Sequence, residues 1–208
     1  MGLQKVAFIG CESSGTIRRA FQKIGWKAYS CDLLPADDGE TLYHIQGDVR
    51  KEFTKSPFLM SANIVIMHPS CQFLTNSGVR WLYNADGSLN EERWDNMRES
   101  AIFFNWCLNA VEIIGKGTVE NPIMHKHAKA LIKPEYSQII QPWQFGHSTS
   151  KATCLWTTGL PNLIPTNIIP KEERTFEIHK ATPGPDRWKI RSKTFDGIAD
   201  AIANQWGK

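Results

Sequence analysis

The run Asn63-Ile64-Val65-Ile66-Met67 is dominated by β-branched side chains and halts at His68-Pro69. Proline has no backbone N–H to give to a ladder, so an interior strand must end there. The segment therefore reads as a short buried strand that releases the chain at its carboxyl end, three residues before Cys71. In open α/β sheets ligands gather at the carboxyl ends of strands. A thiol at that place is either presented for chemistry or, as cysteines often are, one more small buried residue.

The N-terminal third follows the same grammar. Lys5 to Gly10 reads as a buried strand and Cys11-Glu12-Ser13-Ser14-Gly15 as a tight loop. Ile17, Ala20, Phe21 and Ile24 then recur at helical spacing, with Ser14 as N-cap and Gly25 as the stop. A strand, a glycine-bearing loop and a helix let a ligand approach the backbone and the helix N-terminus. The full G-x-G-x-x-G is absent, so a plain connection fits equally. Trp26 to Cys31 is a second strand that delivers Asp32, either a ribose-binding acid or the first residue of the loop Leu33 to Gly39. His44 to Val49 is a third strand candidate and carries Asp48 at its end.

Beyond Cys71, the connection from Thr75 to about Asn90 carries Arg80, Trp81 and Tyr83. It suits either base and phosphate contacts or a flap packed on its own aromatics. Asn90 caps a long helix whose stripe of Trp94, Met97, Ala101, Phe104, Leu108 and Val111 advances by threes and fours, with Ile102, Phe103, Trp106 and Cys107 widening it. Gly117 to Glu120 is a brief strand, with Pro122 read as the opening of the next helix. His125 and His127, two apart, diverge on a helix and make poor metal ligands. Gln138 to Gln141 and Ala152 to Thr157 are further strands, Pro161 to Pro185 is irregular, and Phe195 to Trp206 is an amphipathic helix.

A length of 208 residues with 41% hydrophobic and 22% charged content predicts one globular domain, 1–208. A net charge of +3 permits a polyanionic partner without requiring one. Five cysteines occur singly, with no CxxC pair, which argues against a disulfide framework and a zinc site. No apolar run is long enough to span a bilayer and no signal-peptide layout is present, so the expected location is cytoplasmic, the host cytoplasm if phage-encoded.

In this order the motifs resemble the catalytic domain of the DNA cytosine-5 methyltransferases, in a short form similar to those of bacteriophages. Phe8-Ile9-Gly10 through Gly15 resembles the S-adenosylmethionine loop, Asp32 the ribose acid and Gly47-Asp48 the adenine-contacting acid. His68-Pro69-Ser70-Cys71-Gln72 resembles the Pro-Pro-Cys-Gln signature, Glu120-Asn121 the Glu-Asn-Val signature, and Gly197 to Ala203 the closing C-terminal helix. The resemblance implies a Rossmann-like, mostly parallel sheet flanked by helices. It implies cofactor contacts from Phe8, Gly10, Glu12, Gly15, Asp32, Asp48 and Pro69, and substrate contacts from Gln72, Asn76, Arg80 and Asn121. Cys71, Glu120 and Lys151 would be catalytic, DNA the partner, and no metal is implied.

Such residues suit the reaction. C5 of cytosine is a poor nucleophile until a thiolate adds at C6. A carboxyl group must hold the exocyclic amine and N3 edge as the ring becomes electron-rich, and the base must leave its stack. The departures are Ser70 for the second proline, Pro122 for the valine, and no Gln-x-Arg-x-Arg segment, for which Lys151, Thr153 and Trp156 occupy a comparable place. There is no room for a target-recognition domain, which leaves indiscriminate action on DNA, reliance on the Arg80 to Tyr83 loop, a partner, or an RNA or nucleotide substrate. A binding module on the same fold that has lost catalysis is the alternative.

Overall fold

The computed structural model describes residues 4–176 and 192–208. Seven strands form one sheet: β1 (Val6–Gly10), β2 (Lys27–Asp32), β3 (His44–Gln46), β4 (Ile64–Met67), β5 (Gly117–Pro122), β6 (Gln138–Ile140) and β7 (Thr153–Thr158). Their order is β3-β2-β1-β4-β5-β7-β6. The first five are parallel, and β7 runs antiparallel to both β5 and β6. Strand order reverses between β1 and β4, and such a reversal opens a crevice at the carboxyl ends. Gly10 pairs with Met67, and Met67 with Val119, so the tips of β1, β4 and β5 lie nearly level.

Alternation along the strands builds two apolar layers. Ala7, Ile9, Ile64 and Ile66 face α1 (Thr16–Lys23) and α6 (Asp196–Trp206), where Ile17, Phe21, Ile198, Ile202 and Trp206 are buried. Phe8, Val65, Met67 and Val119 face α2 (Val49–Lys55) and α4 (Glu91–Ile114), against Phe53, Phe104, Cys107 and Val111. Each such side chain contributes roughly 1.5–3 kcal/mol when fully buried. The helices are therefore held by the sheet more than by their own propensity. No helix among the described residues is long and apolar enough to cross a membrane.

Several elements differ from expectation. The N-cap of α1 is Gly15, left-handed at φ 64, and not Ser14. The third strand is cut to three residues because Asp48 turns the chain by capping α2, accepting a hydrogen bond from Arg50 N. The short α2 and the single turn α3 (Pro57–Met60) bury too few residues to show a period. Pro122 does not open a helix but ends β5 opposite Thr153. Because β4 stops opposite Val119, the missing N–H of Pro122 costs no bond on that side. The connection after Thr75 holds a 3-10 turn, Asn76–Leu82, and a Tyr83–Leu89 bridge. Ile102 faces solvent, 68% exposed, instead of widening the buried stripe. The Pro161 to Pro185 segment is irregular through residue 176 apart from a 3-10 turn at Lys171–Glu173, and the rest of it lies outside the described residues.

Candidate active site

The chain leaves β4 still bonded to β1, with His68 N donating to Gly10 O at 2.9 Å. It then turns so that Leu74 N and Thr75 N donate to Cys71 O at 3.1 and 3.3 Å. Neighbouring elements clamp this turn. Asn121 Nδ2 donates to Pro69 O at 3.0 Å, Arg93 to Gln72 O at 3.4 Å, and His125 Nε2 to Phe73 O at 3.1 Å. The His125 Nδ1 accepts from Ala128 N at 3.1 Å, so both ring nitrogens serve α5 (Lys126–Lys129) and the turn. Burial lowers the proton affinity of that imidazole, in keeping with a neutral ring.

Cys71 is half-buried and belongs to neither apolar cluster. The other thiols sit in or against the core. Burial pushes Cys31 up to about 12 and Cys154 to about 11, and raises Cys107 and Cys11 as well. Thiolate chemistry is thus discouraged at four cysteines by their surroundings.

Glu120, two residues inside the end of β5, places Oε2 3.1 Å from His68 Nδ1. An ionised carboxylate only accepts, so the imidazole donates. His68 Nε2 is buried with no hydrogen-bond partner among the described residues. Burial alone would raise the proton affinity of Glu120, but the His68 hydrogen bond and the Lys151 charge outweigh it and hold the carboxyl below its usual range. His68, Glu120 and Lys151 line a cavity of about 20 Å³ roofed by Phe195 and Ile198, roughly the room of one water.

On the cofactor side, the assignments separate. Phe8 is fully buried and stacks on Phe53 at 5.4 Å between ring centres, so its ring cannot touch a ligand. A Cβ on Gly10 would collide with Met67 Sδ and come within 2.9 Å of Val49 Cγ2, so this glycine lets β1 and β4 close. Cys11, at φ 60, is the one non-glycine with positive φ among the described residues. Glu12 accepts from Ile17 N at 2.6 Å and Arg18 N at 3.3 Å. The helix N-terminus expected to meet a ligand is therefore closed by the chain's own carboxylate. Burial raises the proton affinity of Glu12, against the His68 charge and those two N–H groups.

Gly15 is crowded by Arg18, Arg19 and Asp38. Asp38 binds both arginines, Glu40 lies 3.5 Å from Arg18, and Asp37 N donates to Ser13 O at 2.9 Å, so the loop after β2 is tied across the loop after β1. Asp32 is half-buried, accepts from Leu34 N at 2.9 Å, and has its proton affinity raised by burial. Asp48, besides capping α2, is gripped by the Arg50 guanidinium at 3.0 and 3.2 Å. Pro69 is buried and acts through its carbonyl.

Of the substrate-side residues, Gln72, Asn76 and Arg80 are exposed, with the Arg80 guanidinium 4.3 Å over Trp81. Asn121 is only 1% exposed and is a strut to Pro69, not a surface contact. Glu120 and Lys151 share one cavity, and the Cys71 turn is tied to β5 beside it. His68 is the residue that sequence reasoning passed over. It was visible as the end of a strand and the first residue of the signature-like stretch His68 to Gln72, but nothing in its spacing announces a partner 52 residues away.

The seven-stranded, mostly parallel sheet with helices on both faces is the Rossmann-like α/β architecture expected from sequence. No protein-family model matches the chain, and neither does any curated protein. Among solved structures, it is similar to an E. coli DNA modification methyltransferase encoded within a prophage, at 16% identity and TM-score 0.48, covering 80% of this chain and 52% of that one. It is also similar to the Entamoeba histolytica methyltransferase EhMeth (14%, TM-score 0.46, 81% and 58%). A mutant of Spodoptera frugiperda DNMT2 also matches (14%, TM-score 0.42, 80% and 54%). The chain spans between half and three fifths of the length of these proteins.

Proposed function

We propose that this protein is an S-adenosylmethionine-dependent methyltransferase acting on C5 of cytosine in DNA. One observation carries the reading. Asn121 and Glu120 at the end of β5 reach Pro69 and His68 at 3.0 and 3.1 Å, which ties the thiol turn to the strand that bears the carboxylate, one strand away from the β1/β4 reversal. Cys71 adds to C6 of the pyrimidine, and Glu120 holds the N3 edge as the ring gains electron density. Lys151 keeps a positive charge beside that carboxylate. The turn holds the Cys71 backbone in place, since the carbonyls of Pro69, Gln72, Phe73 and Leu74 are all bound by other elements.

The crevice residues fit the cofactor. A carboxylate closes the N-terminus of α1, which disfavours a phosphate there and suits a nucleoside with a cationic tail. Asp32, at the tip of β2, would hold the ribose hydroxyls, and the backbone of Gly10 to Gly15 would face the amino-acid end. When bound, S-adenosylmethionine supplies an electrophilic methyl group.

The test is covalent trapping. DNA containing 5-fluorocytosine, incubated with protein and cofactor, yields an adduct that survives denaturing electrophoresis, and Cys71→Ala abolishes it. Absence of both adduct and methyl transfer with DNA, RNA and nucleotides would overturn the reading.

A further inference from the structure

The connection that follows the thiol turn is pinned along its length. Thr75 bridges Met124, Tyr83 bridges Leu89, and the Leu82 carbonyl accepts from both Asn90 N and Trp94 Nε1 at 3.0 Å. Leu82 is 1% exposed, and the Tyr83 ring packs against Trp94 and His127. Gly78 seats the 3-10 turn on the thiol turn itself, since a Cβ there would come within 2.9 Å of Gln72 O. This fixed frame nevertheless holds Trp81 52% exposed. Trp81 meets no other ring among the described residues and carries the Arg80 guanidinium 4.3 Å from its centre. An indole held out on a rigid frame forgoes the stabilisation that burial would give it. The nearby charges favour an anionic strand. Arg80 and Arg93 make no ion pair among the described residues, and Arg93 lies 4.3 Å over Phe73 beside the same turn. Asp86 accepts from Ser88 and Asp95 from Arg98, while Glu91 and Glu92 sit in the first turn of α4, where the helix dipole offsets them.

We propose that Trp81 and Arg80 form a stacking seat for a nucleotide that flanks the target base, and that the strand held there is single-stranded DNA. The choice of DNA rests on the methyltransferase reading above. An exposed indole with a guanidinium at its face suits a base beside a phosphate: the ring takes the base by stacking and the cation takes the charge. A duplex hides both faces of every base within its stack, whereas a single strand offers a free face without breaking a pair. The seat lies on the same turn whose Gly78 touches Gln72, the neighbour of Cys71, so a strand resting on Trp81 runs past the thiol.

Fluorescence anisotropy tests this without cofactor, on a labelled cytosine-containing oligonucleotide presented as single-stranded DNA, annealed to its complement, or made as RNA. The single DNA strand should bind most tightly of the three. Trp81→Ala should weaken that binding roughly 5- to 150-fold, the worth of one base stacked on an aromatic ring. The urea midpoint of this variant should match wild type, and Trp81→Phe should restore most of the affinity. Arg80→Gln should lower the slope of log affinity against log salt by about 0.7, the loss of one phosphate contact on a single strand. Affinity indifferent to Trp81→Ala, or tighter binding to the duplex or to RNA, overturns the proposal. Single-strand binding that depends on Trp81 in a protein that transfers no methyl group leaves the seat standing and removes the methyltransferase. Methyl transfer to limiting DNA that is unaffected by Trp81→Ala does the reverse.

Discussion

The side-chain amide of Asn121 donates to the carbonyl of Pro69 across 3.0 Å, and both residues are buried. The bond spans adjacent parallel strands just past the end of their ladder, where backbone pairing can no longer hold the chain. The turn that carries Cys71 thus inherits its position from β5. Replacing Asn121 with Leu should leave the Pro69 carbonyl unpaired, at a cost of about 1–3 kcal/mol. Urea denaturation measures the loss, and the rate of 5-fluorocytosine adduct formation should fall with it. An unchanged midpoint would show that the strut carries no stability.

Exposure and the core positions of the other four cysteines predict an order of thiol reactivity. Under native conditions at pH 8, iodoacetamide should label Cys71 first. Cys31, Cys107 and Cys154 should react only at the rate of unfolding. Peptide mass spectrometry over a time course reads the order directly, and early labelling of Cys107 or Cys154 would contradict the packing described.

Glu12 makes stability depend on pH in a direction opposite to that of most carboxylates. Its folded-state proton affinity is raised, chiefly by burial, above that of the unfolded chain, near pH 4.3. The folded state therefore binds the proton more tightly. The stability from this group is complete below about 4.3 and is withdrawn as the pH climbs through the higher folded value. Urea midpoints followed from pH 4 upward should show this fall in wild type relative to Glu12→Gln. Parallel curves for the two proteins would refute it.

Arg18 is 1% exposed, and its guanidinium is held by Asp38 at 2.6 Å and Glu40 at 3.5 Å. Asp38→Ala should strand that charge and cost about 1–3 kcal/mol, below the usual 3–5 for a fully buried pair because Asp38 is 28% exposed and Glu40 remains. Adding Arg18→Met should recover part of the loss. A double variant less stable than Asp38→Ala alone would show that the arginine stem, and not its charge, matters. Chemical denaturation of the three proteins decides.

Most strands were legible as short apolar runs ended by glycine, proline or an acid, although β3 keeps only His44-Ile45-Gln46, and the long helix was legible because its apolar stripe from Trp94 to Val111 persists for about five turns. The site was legible only in part. Cys71 and Glu120 announce themselves by chemistry at strand tips, but the partners that position them lie across the sheet. His68 meets Glu120 because β4 and β5 are neighbours joined through a 24-residue helix, and no local pattern encodes that register. Glu12 read as a ligand contact because carboxylates at such loops can serve either purpose, and only geometry shows it bonded to its own helix. Phe8 leaves only its backbone for a ligand, because an interior strand buries both of its faces.

The antiparallel β7 lies between β5 and β6, although among the described residues it is the last strand in the chain. On the ribosome, β5 therefore waits with one unpaired edge until Thr158 has cleared the exit tunnel. That interval exposes a row of amides to any neighbouring nascent chain. A chain halted before Thr153 is therefore expected to aggregate more readily than one that carries β7.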